Sequence, residues 1–510
     1  RGEGLELGRD ADTGGQTKYV VELARALGQH PDVARVDLVT RLVVDPNVDS
    51  DYAKPSESIS PNAQIIRINC GEDGYTPKEE LWDFLDNFSD NLLGYLNDQE
   101  RKPDVIHSHY ADAGYVGSSL ANQLGIPLVH TGHSLGRSKR GRLLAMGLKG
   151  SEIEQSYNLK RRIEAEEATL GLAECVITST HQEVDDQYGL YDYYQPDQMR
   201  VVPPGTDLEM FTPAQGEVSQ YPIAGQLRRF LRHPDKPMIL ALSRPDQRKN
   251  ITTLIEVFGE VSKLRQMANL VIVAGNRDDI SEMESGTQEV LKQILYTIDR
   301  YDLYGQVAYP KHHAPNDVPD LYRLAAHTRG VFVNPALTEP FGLTLIEASA
   351  CGLPIVATED GGPKDIIGNC RNGYLIDPLD KSDIAEVLMH VLTENNKWER
   401  LARNGVEGVR RHYTWQAHVD RYLATLAPII ERTEPAPKLQ LKRRPMLYHD
   451  RAIFSDLDQN LLGDTGSLGR FAALIRQNRR CVSFGIATGR SLDSALLLIR
   501  RNHMPQPDVR

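Results

Sequence analysis

With 510 residues and a formal net charge of −12, the chain has length for roughly three domains, and its charge argues against nucleic acid or an anionic membrane as partner. Its five cysteines (Cys70, Cys175, Cys351, Cys370 and Cys481) are scattered with no CxxC pair, against a disulfide framework or structural zinc and in favour of a reducing, cytoplasmic compartment. No apolar stretch approaches the ~20 residues of a membrane span, and the polar opening Arg1-Gly-Glu-Gly does not read as a signal peptide.

Short strands are expected at 36–39, 64–68, 104–108, 127–131, 174–178 and 200–202, with helical patterns between them. That alternation makes residues 1–211 a doubly wound α/β domain. Asp12-Thr-Gly-Gly-Gln16 stands directly before a helix whose apolar face uses Tyr19, Val20, Leu23, Ala24 and Leu27. Two glycines at a helix entry let the backbone approach a ligand closely, although glycines before helices are common. Thr131-Gly-His-Ser134 follows a strand and sets His133 on a loop, where a histidine is as readily structural as functional.

Alternation restarts over 212–413, with strands at 238–243, 270–274, 306–308, 330–335 and 354–358. The first is a continuous apolar run, as a parallel strand buried on both faces should be. Arg244-Pro-Asp-Gln-Arg-Lys249-Asn250 then lies at its C-terminal end, where ligands of open α/β sheets gather. An amphipathic helix follows, with Leu254, Ile255, Val257, Phe258 and Val261 on its apolar face. Glu339 falls on the loop after the 330–335 strand. A helix beginning near Phe341 leaves the N–H groups of Gly342, Leu343 and Thr344 outside its own ladder, which suits an anion. Glu347 lies deeper in that helix, better placed for a ribose than for phosphates. A diphosphate needs cations and free N–H groups, and sugar hydroxyls need carboxylates, so the set reads as a nucleotide-sugar site. Either half alone reads equally as a solvated ion-pair loop or an ordinary helix carboxylate. No metal-ligand cluster is visible, and His312-His313 reads as a polar pair on an exposed loop or a neighbour of the donor site.

Residues 414–432 form a C-terminal helix expected to return to the first domain. Residues 433–445, proline-rich and charged, read as a linker. A third α/β start occupies 446–510, with a strand at 452–456. There is no internal repeat with a solenoid period.

In this order, DTGGQTKYVVELARAL, HSHYADAG, HTGHSLGRSKR, SRPDQRKN, EPFGLTLIEA and ATEDGGP resemble the sucrose-phosphate synthase family over roughly residues 1–430. The resemblance implies an α/β fold of two facing Rossmann-like domains (GT-B type), with residues 1–211 binding the acceptor and 212–413 the nucleotide sugar. It implies transfer of glucose from UDP-glucose, or ADP-glucose, to fructose 6-phosphate with retention of configuration, giving sucrose 6-phosphate and UDP. On the donor side it assigns Arg244 and Lys249 to the diphosphate, Phe341, Gly342, Leu343 and Thr344 to the helix start that meets the nucleotide sugar, Glu347 to the ribose and Glu339 to the glucose hydroxyls. His133 matches an active-site histidine near the glucose C6 hydroxyl, with a positioning role. On the acceptor side Lys78, Lys139 and Arg162 match phosphate ligands, while Gly14, Gln16, Tyr110 and Ser134 match contacts to the sugar or its phosphate. Each of those cations taken singly reads as a solvated surface charge. No Asp or Glu in the matched motifs is placed as a nucleophile, so front-face attack is expected, with the departing phosphate oxygen taking the acceptor's proton. Arg244 and Lys249 would do what Mg²⁺ does elsewhere, so no cofactor is required and Mg²⁺ is at most stimulatory. Two alternatives remain at this point: a sucrose synthase-like enzyme using free fructose, and a non-catalytic sensor of nucleotide sugar or sugar phosphate.

The tail continues the resemblance. Phe454-Ser-Asp456-Leu-Asp458-Gln-Asn460 is similar to the first motif of haloacid-dehalogenase and sucrose-phosphatase enzymes, with Asp456 as nucleophile and Asp458 as general acid. Asn460 stands where Thr or Val is usual, and Ala487-Thr488-Gly-Arg490 is similar to the second motif. The later lysine and acidic Mg²⁺ loop of those enzymes have no recognisable version before Arg510, so this incomplete segment is expected to be inactive and to favour association with a separate sucrose-phosphate phosphatase. The family also places a strand and a glycine turn before DTGGQ. A sheet without that strand would expose an unpaired edge, so residues preceding Arg1 are expected.

Overall fold

The computed structural model describes residues 15–71, 73–431, 451–458, 460–478 and 482–489, with scattered positions between 495 and 507. Gly14 and the expected linker at 433–445 lie outside the described residues. The chain divides into two compact units. One runs to Thr178, resumes over Val184–Arg200 and takes in the chain from Tyr422 onward; the other comprises Ser179–Glu183 and Val201–Arg421. Among the described residues no helix is long and apolar enough to cross a membrane.

The first unit opens with α1 (Gly15–Leu27), which buries Val20, Leu23, Ala24 and Leu27 on the expected face, together with Val21. Its strands are β1 (Val36–Arg41), β2 (Ser56–Ser60), β3 (Ala63–Ile68), β4 (Ile106–His109), β5 (Leu128–Thr131), β6 (Cys175–Thr178) and β7 (Met199–Val201). The described strands form two sheets, in orders β1-β3-β2 and β4-β5-β6-β7. β1 pairs in parallel with β3, and β4-β5-β6 pair in parallel with helices in their connections, as βαβ units require. β2 pairs antiparallel with β3. It was not expected, because Ser-Glu-Ser-Ile-Ser is a polar sheet edge with no apolar run to announce it. Between the strands lie α2 (Ala111–Leu124), α3 (Gly136–Ala145) and α4 (Leu159–Leu172).

The second unit is a single parallel sheet of β8 (Met238–Ser243), β9 (Asn269–Ala274), β10 (Val307–Ala308), β11 (Val331–Asn334), β12 (Ile355–Thr358) and β13 (Gly373–Ile376), in order β10-β9-β8-β11-β12-β13. Alternate residues of one strand serve opposite cores. Met238 and Leu240 join Val271, Phe332 and Leu345, while Ile239 and Ala241 join Phe258, Ile272 and Val333. That two-sided burial is why these strands read as unbroken apolar runs. Fully burying each such side chain is worth about 1.5–3 kcal/mol. On one face α5 (Ile251–Glu260) buries Ile251, Leu254, Ile255, Val257 and Phe258 at helical spacing. It ends one residue short of the expected Val261. Because β8 neighbours β9 on one side and β11 on the other, the strand order reverses between β8 and β11, where doubly wound sheets open a ligand crevice.

The helix α7 (Trp415–Ile430) lies across the division, its residues from Tyr422 onward belonging to the first unit. Farther on, β14 (Arg451–Ser455) and β15 (Val482–Ile486) pair in parallel over a small core of Leu457, Leu468, Ile475 and Phe484.

Candidate donor and acceptor sites

In the second unit, the loop after β8 turns at Asp246, whose carboxylate accepts the Arg248 backbone N–H at 2.9 Å. The Arg248 guanidinium also grips that carboxylate, and its bonds and charge, helped by the charge of Arg244, outweigh burial and hold Asp246 down to about 2. Arg248 is thereby occupied locally, while Arg244 stays exposed. Lys249 instead reaches the loop after β11: its Nζ lies 2.6 Å from Glu339 Oε2, which also accepts Asn334 Nδ2 at 2.9 Å. Thus the two strands flanking the reversal deliver a cation and a carboxylate to one point.

Glu339 is held from behind by the ATEDGGP segment. Its N–H donates to Asp360 O at 2.9 Å, and its carbonyl accepts the Gly362 N–H at 2.9 Å. Gly361 has φ 111°, and a Cβ there would lie 2.0 Å from Glu339 O, so only glycine fits. Gln182 completes this support, accepting the Gly361 N–H at 2.7 Å.

The next helix, α6 (Leu343–Ala350), begins two residues later than expected because Gly342 takes φ 99° and becomes its N-cap. Leu345 N–H already bonds Gly342 O, leaving the N–H groups of Leu343 and Thr344 outside the helical ladder. The Phe341 ring packs 6.4 Å from that of Tyr413. Glu347 lies farther along the helix and accepts from the buried Tyr322 hydroxyl at 3.4 Å. His312 is exposed and lies 3.2 Å from Asp278, in keeping with a polar loop. Among the described residues no three His, Cys, Asp or Glu side chains converge as metal ligands would.

In the first unit, Tyr110 follows β4 and Ser134 follows β5, at the C-terminal ends of the two paired strands. Tyr110, at φ 80°, caps α2 and lies under the Arg162 guanidinium at 4.5 Å. Arg162 Nη2 donates to the Ser134 carbonyl. Lys139 Nζ sits 4.0 Å from the centre of the Tyr157 ring. Burial pushes the Lys139 ammonium down, and the positive charges of Arg162 and Lys78 push it further. Arg162 and Lys78 thus both bear electrostatically on Lys139, with Glu79 acting against them. Gln16 is half-buried in the first turn of α1.

His133, at φ 59°, hydrogen-bonds His109 (Nε2 to Nδ1, 3.0 Å), so one ring donates, the other accepts, and their tautomers are linked. His109 lies against His107 at 4.0 Å, and His107 bonds Thr131 Oγ1 and the Tyr422 hydroxyl, each at 3.0 Å. Within HSHYADAG neither histidine carries a role that the motif alone assigns. The period-2 spacing of His107 and His109 on β4 was the available signal, since it sets both on one face.

In the tail, Asp456 directly follows β14, and Thr488 follows β15 at the same end of the paired strands, with Ala487 N–H bonding Ser455 O at 3.1 Å. Asp456 Oδ1 is buried without a hydrogen-bond partner among the described residues. Asp458 lies just beyond, bridged to Leu462.

Three family models match the chain: Glycosyltransferase Family 4 over residues 13–210, Glycosyl transferases group 1 over 225–407, and Sucrose-6F-phosphate phosphohydrolase over 449–510. The sucrose-phosphate synthase of Zea mays is 46% identical over 493 residues, covering 84% of this chain and 46% of that protein. Sucrose-phosphate synthase 4 of Arabidopsis thaliana is 45% identical over 507 residues, covering 87% and 48%. The chain thus spans about half the length of the curated relatives it matches. Among solved structures, a sucrose-phosphate synthase from Thermosynechococcus elongatus aligns with a TM-score of 0.61 at 28% identity, covering 82% of this chain and 94% of that one. Anabaena HepE in complex with UDP and glucose aligns with a TM-score of 0.55 at 17% identity, over 82% and 98%, a likeness of fold.

Proposed function

Because the chain belongs to the sucrose-phosphate synthase family of glycosyltransferases, with the two Rossmann-like domains of the GT-B fold, we propose that it transfers glucose from UDP-glucose to fructose 6-phosphate, giving sucrose 6-phosphate and UDP. The observation that carries this choice of acceptor is the basic cluster at Ser134, where Arg162 lies over Tyr110 and donates to the Ser134 carbonyl while Lys139, one helix turn on, feels the charges of Arg162 and Lys78. Glu166 and Glu79 offset part of that charge, and a phosphate dianion gains from the remainder where free fructose brings no charge to it.

On the donor side, Arg244 and Lys249 hold the diphosphate, the N–H groups of Leu343 and Thr344 add to them, Glu347 takes the ribose and Glu339 the glucose hydroxyls. The acceptor's C2 hydroxyl oxygen bonds to the glucose anomeric carbon as the bond from that carbon to the phosphate oxygen breaks. The proton passes to the departing oxygen on the same face, so configuration is retained. Glu339 is already engaged by Lys249 and Asn334, which suits a hydroxyl acceptor better than a nucleophile. His133 orients the glucose. UDP-glucose and ADP-glucose share the groups these residues would hold, and a comparison of the two donors ranks them.

Release of UDP, followed by a coupled assay, is expected with fructose 6-phosphate and to fall by at least about tenfold with free fructose, because charge-assisted phosphate contacts are each worth about 1.5–3 kcal/mol. Equal rates would make the enzyme sucrose synthase-like; binding without turnover would make it a sensor. Charge on the leaving diphosphate is met by Arg244 and Lys249, so activity is expected to persist in excess EDTA, with only a modest gain on adding Mg²⁺. Activity abolished by EDTA and restored by Mg²⁺ would overturn that.

We place the chain in the cytoplasm, where the described cysteines, all free, would stay reduced. The phosphohydrolase-like segment favours association with a sucrose-phosphate phosphatase.

A further inference from the structure

We propose that Glu166 is the positioning residue of the acceptor-phosphate pocket, a buried carboxylate that aims the cations of two helices at once; the assignment rests on the sugar-phosphate acceptor proposed above. Glu166 is 1% exposed and Arg162, one turn earlier on the same face of α4, is 4% exposed. Arg162 Nε donates to Glu166 Oε1 at 2.9 Å. This fixes the guanidinium by its inner nitrogen and leaves its Nη groups directed toward Ser134, where Nη2 meets the carbonyl.

The same carboxylate accepts the Gly136 N–H, at 3.1 Å to Oε1 and 3.0 Å to Oε2. Gly136 is the first residue of α3, the helix that carries Lys139. A Cβ at Gly136 would lie 2.8 Å from Glu166 Oε2, so glycine lets the helix start come in against the acid. The Tyr191 hydroxyl donates to Oε2 and itself accepts the Arg137 N–H at 3.1 Å, a second tie to α3. Glu166 thus collects donors from three separate stretches of chain.

An acid beside a phosphate pocket weakens its field, and a buried ion pair is seldom a net gain in stability over apolar packing. What it supplies here is orientation. Without it, Arg162 has no partner on its inner nitrogen and the start of α3 loses the acceptor that sets where Lys139 stands.

The test compares the full chain with its Glu166→Gln and Tyr191→Phe variants, by the KM of each substrate and by calorimetric titration of fructose 6-phosphate. Glu166→Gln is expected to raise the KM and Kd of fructose 6-phosphate about tenfold while leaving the KM of UDP-glucose within about twofold, and Tyr191→Phe to shift the acceptor alone by about twofold to threefold. A structural tie and nothing more would lower the melting temperature and move both substrates together. Acceptor affinity unchanged in folded Glu166→Gln, or equal losses for both substrates, overturns the proposal. If Glu166→Gln does not fold, unchanged acceptor affinity in Tyr191→Phe overturns it. Should the parent chain bind fructose 6-phosphate without transferring to it, the transferase reading falls while the affinity comparison still decides the role of Glu166. Should it bind none, both fall.

Discussion

Lys249→Ala is expected to lower turnover by about 10²–10³-fold, the loss typical of removing one preset charge-stabilising donor. UDP gains charge as it leaves, so a cation on its diphosphate helps the transition state more than bound UDP-glucose, and the loss should fall on kcat more than on the donor KM. The structure explains why the lysine can act this way. Its stem is half-buried and its ammonium stands 2.6 Å from Glu339, beside the crevice between β8 and β11 where the diphosphate is proposed to bind. Lys249→Arg is not expected to restore the rate, because a planar fork does not reproduce a compact ammonium point charge. Steady-state UDP release with saturating fructose 6-phosphate measures both. Turnover within threefold of the parent for Lys249→Ala would remove this residue from the leaving-group role.

Arg162→Ala carries the second large effect, and it has two parts. Loss of charge-assisted contacts to a dianion is expected to raise the KM of fructose 6-phosphate by about 10–10²-fold. Removing the guanidinium also leaves Glu166 buried without its counter-charge, at a cost of about 3–5 kcal/mol in stability. The double variant Arg162→Ala with Glu166→Gln, which removes the unpaired charge and keeps an acceptor for the Gly136 N–H and the Tyr191 hydroxyl, should regain part of that stability and none of the affinity. Any residual use of free fructose should be untouched by Arg162→Ala, since that acceptor offers the arginine no phosphate. An equal loss for both acceptors would show that Arg162 serves the sugar or the fold instead.

What was legible in the sequence follows from how each feature is built. β8 and β9 are buried on both faces, so burial writes itself into the chain as an apolar run. The positions of Arg244, Lys249, Glu339 and the α6 start were legible because each follows an apolar strand, and the strand order turns at β8 and β11. β2 was hidden, since an exposed edge strand needs no apolar side chains. Glu166 was hidden for a different reason. In Arg-Arg-Ile-Glu-Ala-Glu-Glu its neighbours Glu164 and Glu167 look the same, and only packing against Gly136 and Tyr191 separates them. Gln182 was beyond reach altogether: it supports Gly361 from 179 positions away, and no local pattern announces that contact.

The Lys249–Glu339 contact has one more implication. Before any guest arrives, each of these side chains is the other's placeholder. On the proposed donor roles, a diphosphate that drew on the ammonium would loosen its hold on the acid in the same motion, leaving Asn334 to keep the acid in place for the hydroxyls. Occupancy at one end of the donor would in this way license recognition at the other, and a sugar lacking its diphosphate would meet a pocket still closed on itself.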